Sequence, residues 1–196
     1  MNLLVFKPTN DFNTFIEFWS QFYNYNSNWE PNYEKHIKYD KPFTHHDILQ
    51  LFEFITQCGL GKIRTAAIKE KIYPHLDYIN DMKFEEDIVK EEFLEKFIDV
   101  AAVSQIALLH FIKPFKYPLY DQNVQIAYNY IQGLDIPPTP FPKRQDDKIN
   151  FYFRKFIPFV ETIKGKHSMK KIDEALNSFG YLIKKNPKIK FNFGEA

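Results

Sequence analysis

Apolar residues recur along most of the chain at spacings of three and four, which is the pattern of amphipathic α-helices. The period-two alternation of a half-buried strand is absent over any useful length of the sequence. The predicted helices lie at about 10–23, 45–58, 62–72, 84–98, 99–112, 122–132, 149–163 and 169–183. Residues 24–42, rich in Asn, Tyr, Trp and Pro, predict an ordered aromatic loop.

Residues at the predicted helix ends carry recognisable capping signals. Asp121 and Ser168 stand directly before apolar stripes, where a side-chain oxygen accepts a bond from an exposed backbone N–H. Gly133 stands where the helix after Asp121 should end. Residues 99–112 are apolar nearly all round, which predicts a helix buried between other helices.

The length and apolar content of the chain favour one compact helical domain. It has 196 residues, of which 44% are hydrophobic, enough to bury a substantial core. Four prolines fall within 134–147, so this stretch is the predicted internal boundary between two lobes. The predicted fold class is therefore all-α.

Cysteine usage and hydropathy restrict the setting of the protein. Cys58 is the single cysteine, so no internal disulfide forms. The longest apolar stretch, 100–112, falls short of the roughly 20 residues that a membrane span needs, and the first residues lack the pattern of a secretory signal. We expect a cytoplasmic protein without a membrane partner.

Other chemistry-bearing residues receive ordinary structural interpretations. His45 and His46 are neighbours that diverge on a helix, and His110 falls in the buried helix. The Gly59–Lys62 stretch resembles a phosphate-binding loop, but the fixed spacing of that motif is missing, so it is interpreted as a helix end. We expect neither a metal nor a cofactor.

The stretch VAAVSQIALLHFIKPFKYPLYDQNVQIAYNYI, from Val100 to Ile131, resembles part of the helix-hairpin-helix DNA glycosylase superfamily. It looks most like a group of uncharacterised bacterial proteins in which a buried helix is followed by a proline, then Tyr-Pro and an aspartate. The run KIDEALNSFG, Lys171 to Gly180, also resembles the closing helix of that group.

This resemblance implies an all-α, two-lobed orthogonal helical bundle with a cleft. It also implies that Asp121 faces the cleft and assists cleavage of the bond between a damaged base and its sugar, because a carboxylate stabilises the developing positive charge. DNA is the implied partner. Asp121 is the only residue to which the resemblance assigns a catalytic role. The alternative role for Asp121 is that of a structural N-cap.

Departures from the superfamily pattern keep a second function open. The glycine-rich turn and the Schiff-base lysine expected just before and at the start of the buried helix are replaced by Ile98 to Ala102. Any activity would therefore be that of a monofunctional glycosylase, without strand cleavage. The alternative is a non-catalytic helical module that binds a protein or a small molecule in the equivalent cleft.

The net charge of +1 provides no global attraction for a polyanion, so DNA contact would need a local basic patch. The densest basic group surrounds the predicted start of the last helix and contains Lys164, Lys166, Lys170 and Lys171. These lysines are the predicted nucleic-acid contacts. A solvated lysine face is the alternative.

Overall fold

The computed structural model describes residues 12–23, 30–56, 59–134 and 141–186, with the side chains of 30–32 left out. Within these ranges the secondary structure is entirely helical, which confirms the all-α class. The α-helices are α1 (Phe12–Ser20), α2 (Glu30–Ile37), α3 (His45–Thr56), α4 (Lys62–Lys71), α5 (Leu76–Phe84), α6 (Lys90–Lys96), α7 (Ala102–Ile112), α8 (Gln122–Ile131), α9 (Gln145–Phe151), α10 (Ile157–Ile163) and α11 (Met169–Lys185). None of these helices is long and apolar enough to cross a membrane.

The described helices belong to two compact units. The first unit is Met1–Asn24 with Phe115–Ala196, and the second is Tyr25–Pro114. The proline-rich stretch 134–147, the predicted boundary, lies inside the first unit. Aromatic packing joins its two sides, since Tyr120 contacts Phe141 at a ring distance of 5.2 Å and Tyr128 contacts Phe151 at 4.9 Å.

The core of the first unit is built around α11. Phe179 is buried and makes edge contacts with Phe15, Trp19 and Tyr130, whose ring centroids lie 5.3, 5.1 and 5.5 Å away. Edge-to-face pairs of this kind add about 0.5–1.5 kcal/mol each beyond burial. One aromatic residue of α11 therefore fixes α1 and the end of α8 against the same helix.

A π-helical turn interrupts the α-helix predicted at 149–163. This turn covers Tyr152–Phe156 and lies between α9 and α10, whose first turn contains Pro158. Proline removes an N–H donor and is accommodated in the first turn of a helix. The extra residue in the turn allows both Tyr152 and Phe156 to be fully buried.

The second unit is organised around α7. Its residues from Gln105 to Ile112 are all buried, which confirms the predicted central helix. Phe111 packs edge-on against Phe52 of α3 at a ring distance of 5.3 Å. The side chain of His110 is bonded to the Tyr33 hydroxyl at 2.8 Å, so the interpretation of His110 as a satisfied core histidine is confirmed.

Two of the predicted element assignments in this unit are wrong. The predicted loop at 24–42 contains α2, which buries Tyr33, His36 and Ile37 at helical spacing. The helix predicted at 84–98 is shorter in the structure, where it is α6, and α5 lies before it in a stretch for which no helix was predicted. The stripe of α5 escaped notice because it consists mainly of Ile79 and Met82 among polar residues.

A buried carboxylate connects α2 to α3. Asp47 accepts bonds from His36 Nδ1 and Lys38 Nζ, both at 2.8 Å, and from the Thr44 backbone N–H and hydroxyl at 2.8 and 2.6 Å. Burial alone would raise the pKa of Asp47, but these bonds outweigh it and hold the pKa well below its ordinary value. The ionised form of Asp47 therefore stabilises the second unit.

We expect Asp47→Asn to lower the free energy of unfolding by about 2–3 kcal/mol at neutral pH, because it leaves polar partners unsatisfied. A depressed folded-state pKa gives stability that is present above the unfolded pKa and lost as the pH falls below it. Urea unfolding at pH 7 and pH 3 should show that loss in the wild type and less of it in the variant. Asp77→Asn, at an exposed position of α5, is the control, and an equal effect of both variants would contradict the account.

Gly180 allows α11 to approach the start of α8 closely. A Cβ atom at this position would overlap the backbone carbonyl group of Asn123. Because the obstructing atoms belong to the backbone, no side-chain rotation relieves the clash. A glycine is therefore required at this crossing of two helices.

We expect Gly180→Ala to destabilise the protein by about 1–3 kcal/mol, the usual cost of overpacking. The direction of the stability change tests the contact, because a glycine-to-alanine change in an unobstructed helix stabilises the protein by about 0.5–1 kcal/mol. Chemical denaturation measures the difference. Ser178→Ala, two residues away, removes a buried hydroxyl that has no partner in the described structure and should cost little. A stabilised Gly180→Ala variant would show that the helices do not meet at this point.

Candidate functional site

The candidate site begins at the N-terminus of α8, where Asp121 is the N-cap. Its backbone is extended, with φ −138° and ψ −173°, and its Oδ1 accepts the Val124 backbone N–H at 2.8 Å. The cap satisfies one of the N–H groups that a helix start leaves without a partner. The capping prediction for Asp121 is confirmed, and the residue as a whole is half-buried.

A polar stripe of α11 lies along the start of α8. Its members, Asp173, Asn177, Gly180 and Lys184, follow one another at spacings of four, three and four, so they share one helix face. Asn177 Nδ2 donates to Asp121 Oδ2 at 2.6 Å, and Lys184 Nζ donates to Gln122 Oε1 at 2.9 Å. The two carboxylate oxygens of Asp121 are thus fixed from different helices.

The environment opposes ionisation of both carboxyl groups. Burial raises the pKa of Asp121, and bonds from Val124, Asn123 and Asn177 offset part of that rise. Asp173 is buried, and its pKa is raised well above the ordinary value, first by burial and then by the charge of Asp121. Two carboxyl groups that repel each other in this way hold one negative charge more readily than two. Asp121, which has the hydrogen-bond donors, is the better carrier of that charge.

A buried tyrosine belongs to the surroundings of Asp173. The Tyr152 hydroxyl donates to the Pro118 backbone oxygen at 2.8 Å, and burial raises the pKa of Tyr152 well above its ordinary value. The charge of Asp173 adds to that shift. Tyr152 begins the π-helical turn, a type of irregularity that is frequent at functional sites. The phenol therefore stays neutral and keeps the residues before α8 in position.

The lysines predicted to contact nucleic acid lie on or next to α11, and three of them are near glutamates. Lys164 Nζ lies 3.7 Å from Glu161, Lys170 Nζ lies 3.2 Å from Glu174, and Lys171 is bonded to Glu17. Lys166 is exposed. Such pairs reduce the local positive potential, although partly exposed pairs add little to stability. Lys170 also acts on Asp173 by lowering its pKa.

The remaining chemistry-bearing residues from the sequence analysis are the adjacent histidines and the cysteine. His45 and His46 are exposed, His45 stacks on Tyr73 at 4.3 Å, and His46 meets the edge of the His36 ring. Within the described ranges, no group of three or more His, Cys, Asp or Glu residues is arranged to hold a metal ion. Cys58 lies outside the described residues.

Sequence reasoning missed the site residues of α11. Ile172, Leu176, Phe179 and Ile183 form the apolar stripe that predicts this helix, and each polar member of the site follows one of them by a single position. A polar residue beside an apolar stripe usually faces solvent. One signal in the sequence pointed to this region. The run from Lys171 to Gly180, which contains Asp173, resembles the closing helix of the bacterial group.

Comparison with protein-family models, with curated proteins and with solved structures found no match to this chain.

We expect the pair of carboxyl groups to make stability fall as the pH rises. A raised folded-state pKa gives an aspartate stability that is full below its unfolded pKa and lost as the pH rises through the folded pKa. Asp173→Asn removes the charge that is hardest to bury. The loss of unfolding free energy with rising pH should therefore be smaller in this variant, by on the order of 1 kcal/mol. Urea unfolding between pH 4 and pH 8 measures the slope, with the exposed Asp147→Asn as control. An unchanged slope in Asp173→Asn would show that Asp173 has an ordinary pKa.

Proposed function

We propose that the chain is a DNA glycosylase-like protein of the helix-hairpin-helix superfamily, in which Asp121 assists hydrolysis of the bond between a base and its sugar. The observation that carries the proposal is the fixed carboxylate of Asp121, bonded to Val124 and Asn177, on a residue of intermediate exposure at a helix start. The resemblance from Val100 to Ile131 supplies the reaction class.

The proposed reaction is a hydrolysis at the sugar carbon C1′. The target nucleotide leaves the base stack, and the bond from C1′ to the base nitrogen breaks while the electron pair stays with the base. The oxygen of a water molecule bonds to C1′, and its proton passes to the departing base. The carboxylate of Asp121 stabilises the positive charge that develops on the sugar and orients the water.

The neighbours of Asp121 have positioning roles in this proposal. Asn177 holds one oxygen of the carboxylate, and the proton kept on Asp173 leaves the negative charge on Asp121. The start of α7 carries Ala102 instead of a lysine, so no Schiff base forms there. Base release would therefore leave the DNA strand intact.

One observation favours the rival function, a non-catalytic helical module that binds a protein or a small molecule. The ion pairs of Lys164, Lys170 and Lys171 with glutamates weaken the basic patch that DNA contact would use. Lys166 would then be the main phosphate contact of the group.

We expect Asp121→Asn to reduce base release from a duplex containing damaged or deaminated bases by about 100-fold, the usual loss when one stabilising group is removed. Asparagine retains the capping oxygen, so the fold should persist. Asp147→Asn removes the same charge from an exposed site in the same unit and should leave release unchanged.

Binding to a duplex with an abasic-site analogue, measured at two salt concentrations, separates the two functions. DNA recognition predicts affinity that falls steeply with salt, because phosphate contacts release counterions. Absent or salt-insensitive binding would reject DNA as the partner. Binding without base release by the wild type would retain the partner and reject the enzymatic role.

A further inference from the structure

The second unit contains a cavity of about 530 Å³ that none of the proposed chemistry uses. Its walls come from α3, α4 and α7 and are mainly apolar, with side chains that include Phe52, Ile55, Leu60, Ile68 and Val103. Small-molecule sites in proteins typically have volumes of about 300–1,000 Å³ and walls of this kind. The cavity is therefore large enough for a small organic ligand.

The charged side chains around this cavity are mostly positive. Arg64 is an exposed lining residue with no hydrogen-bond or ion-pair partner among the residues that the structure describes. Lys71 donates to the backbone oxygen of Asp99 at 3.0 Å, and Asp99 is the acidic residue of the lining. The lining thus contains two cationic side chains, Arg64 and Lys71, and one acidic residue, Asp99.

The start of α7 adds to the positive potential at the same wall. Ala101, its N-cap, provides no side-chain acceptor, and both Ala101 and Ser104 line the cavity. An uncapped helix start favours a negative group within its first turn. Arg64 contributes a planar guanidinium group, which pairs well with a carboxylate.

We propose that this cavity binds a small amphipathic carboxylic acid, with its apolar body against the side chains of α3, α4 and α7 and its carboxylate at Arg64. A single carboxylate matches one guanidinium group without a partner among the described residues and walls that are mainly apolar. A polyanion would leave charge against those walls at a high desolvation cost. The proposal does not depend on the glycosylase-like function, since the cavity contains no residue of the Asp121 site.

Calorimetric titration of the full-length chain with octanoate tests this proposal, and octanamide serves as a probe of the same chain length without the charge. We expect octanoate to bind with saturation at one site and octanamide to bind at least about tenfold more weakly. Arg64→Gln should weaken octanoate binding by at least about tenfold and leave octanamide binding unchanged. Lys69→Gln, an exposed cation on α4 outside the lining, should change neither.

Adjacent alanines of α4 provide a matched steric test. Ala67 lines the cavity and Ala66 does not, and both residues are exposed, so neither replacement disturbs the core. Ala67→Phe should abolish binding of both probes, whereas Ala66→Phe should leave it intact. Circular dichroism of each variant checks that the helices persist.

Several results would overturn the proposal. Absence of saturable octanoate binding at millimolar concentration would reject the cavity as a ligand site. Equal affinity for octanamide, or an unchanged affinity in Arg64→Gln, would reject recognition of a carboxylate. Self-association of the chain that Ala67→Phe prevents, without octanoate binding, would assign the surface to a second copy.

Discussion

The close approach of α11 to the start of α8 is the contact on which the candidate site depends. Gly180 leaves room for the Asn123 carbonyl, and this proximity brings Asn177 within 2.6 Å of Asp121. Without it, Asp121 would still cap its own helix, but it would lack a second partner. A packing constraint in one unit thus converts an ordinary helix cap into a fixed carboxylate with one oxygen held from another helix.

Asp47 and Asp173, the buried aspartates among the described residues, illustrate how the surroundings of a carboxyl group set its protonation. Asp47 receives bonds from two side chains that can carry positive charge and from Thr44, so it remains ionised despite burial. Asp173 is buried near another carboxylate, so its pKa rises. The first arrangement is suited to stability. The second costs stability at neutral pH, which is typical of residues retained for chemistry.

The sequence was informative wherever local physics decides the outcome. The apolar surround of α7 predicted its burial, and the residue types of Asp121 and Ser168 predicted two helix caps. The sequence was uninformative where contacts between residues distant in the chain determine the structure. The aromatic contacts of Tyr120 with Phe141 and Phe151 join residues that are distant in the sequence. The short stripe of α2 is recognisable only against α3. Asn177 reaches Asp121 because Gly180 lets the two helices approach, and no local sequence pattern reveals the contact between Asn177 and Asp121.

The central claim is that α11 gives Asp121 and Asp173 a shared electrostatic environment. A pH titration of the side-chain carboxyl carbons, followed by NMR, measures it most directly. The account predicts that Asp173 titrates well above the ordinary value of 3.8 and that its pKa falls when Asp121 is replaced by asparagine. Titration of both carboxyl groups near 3.8, each independent of the other, would contradict it.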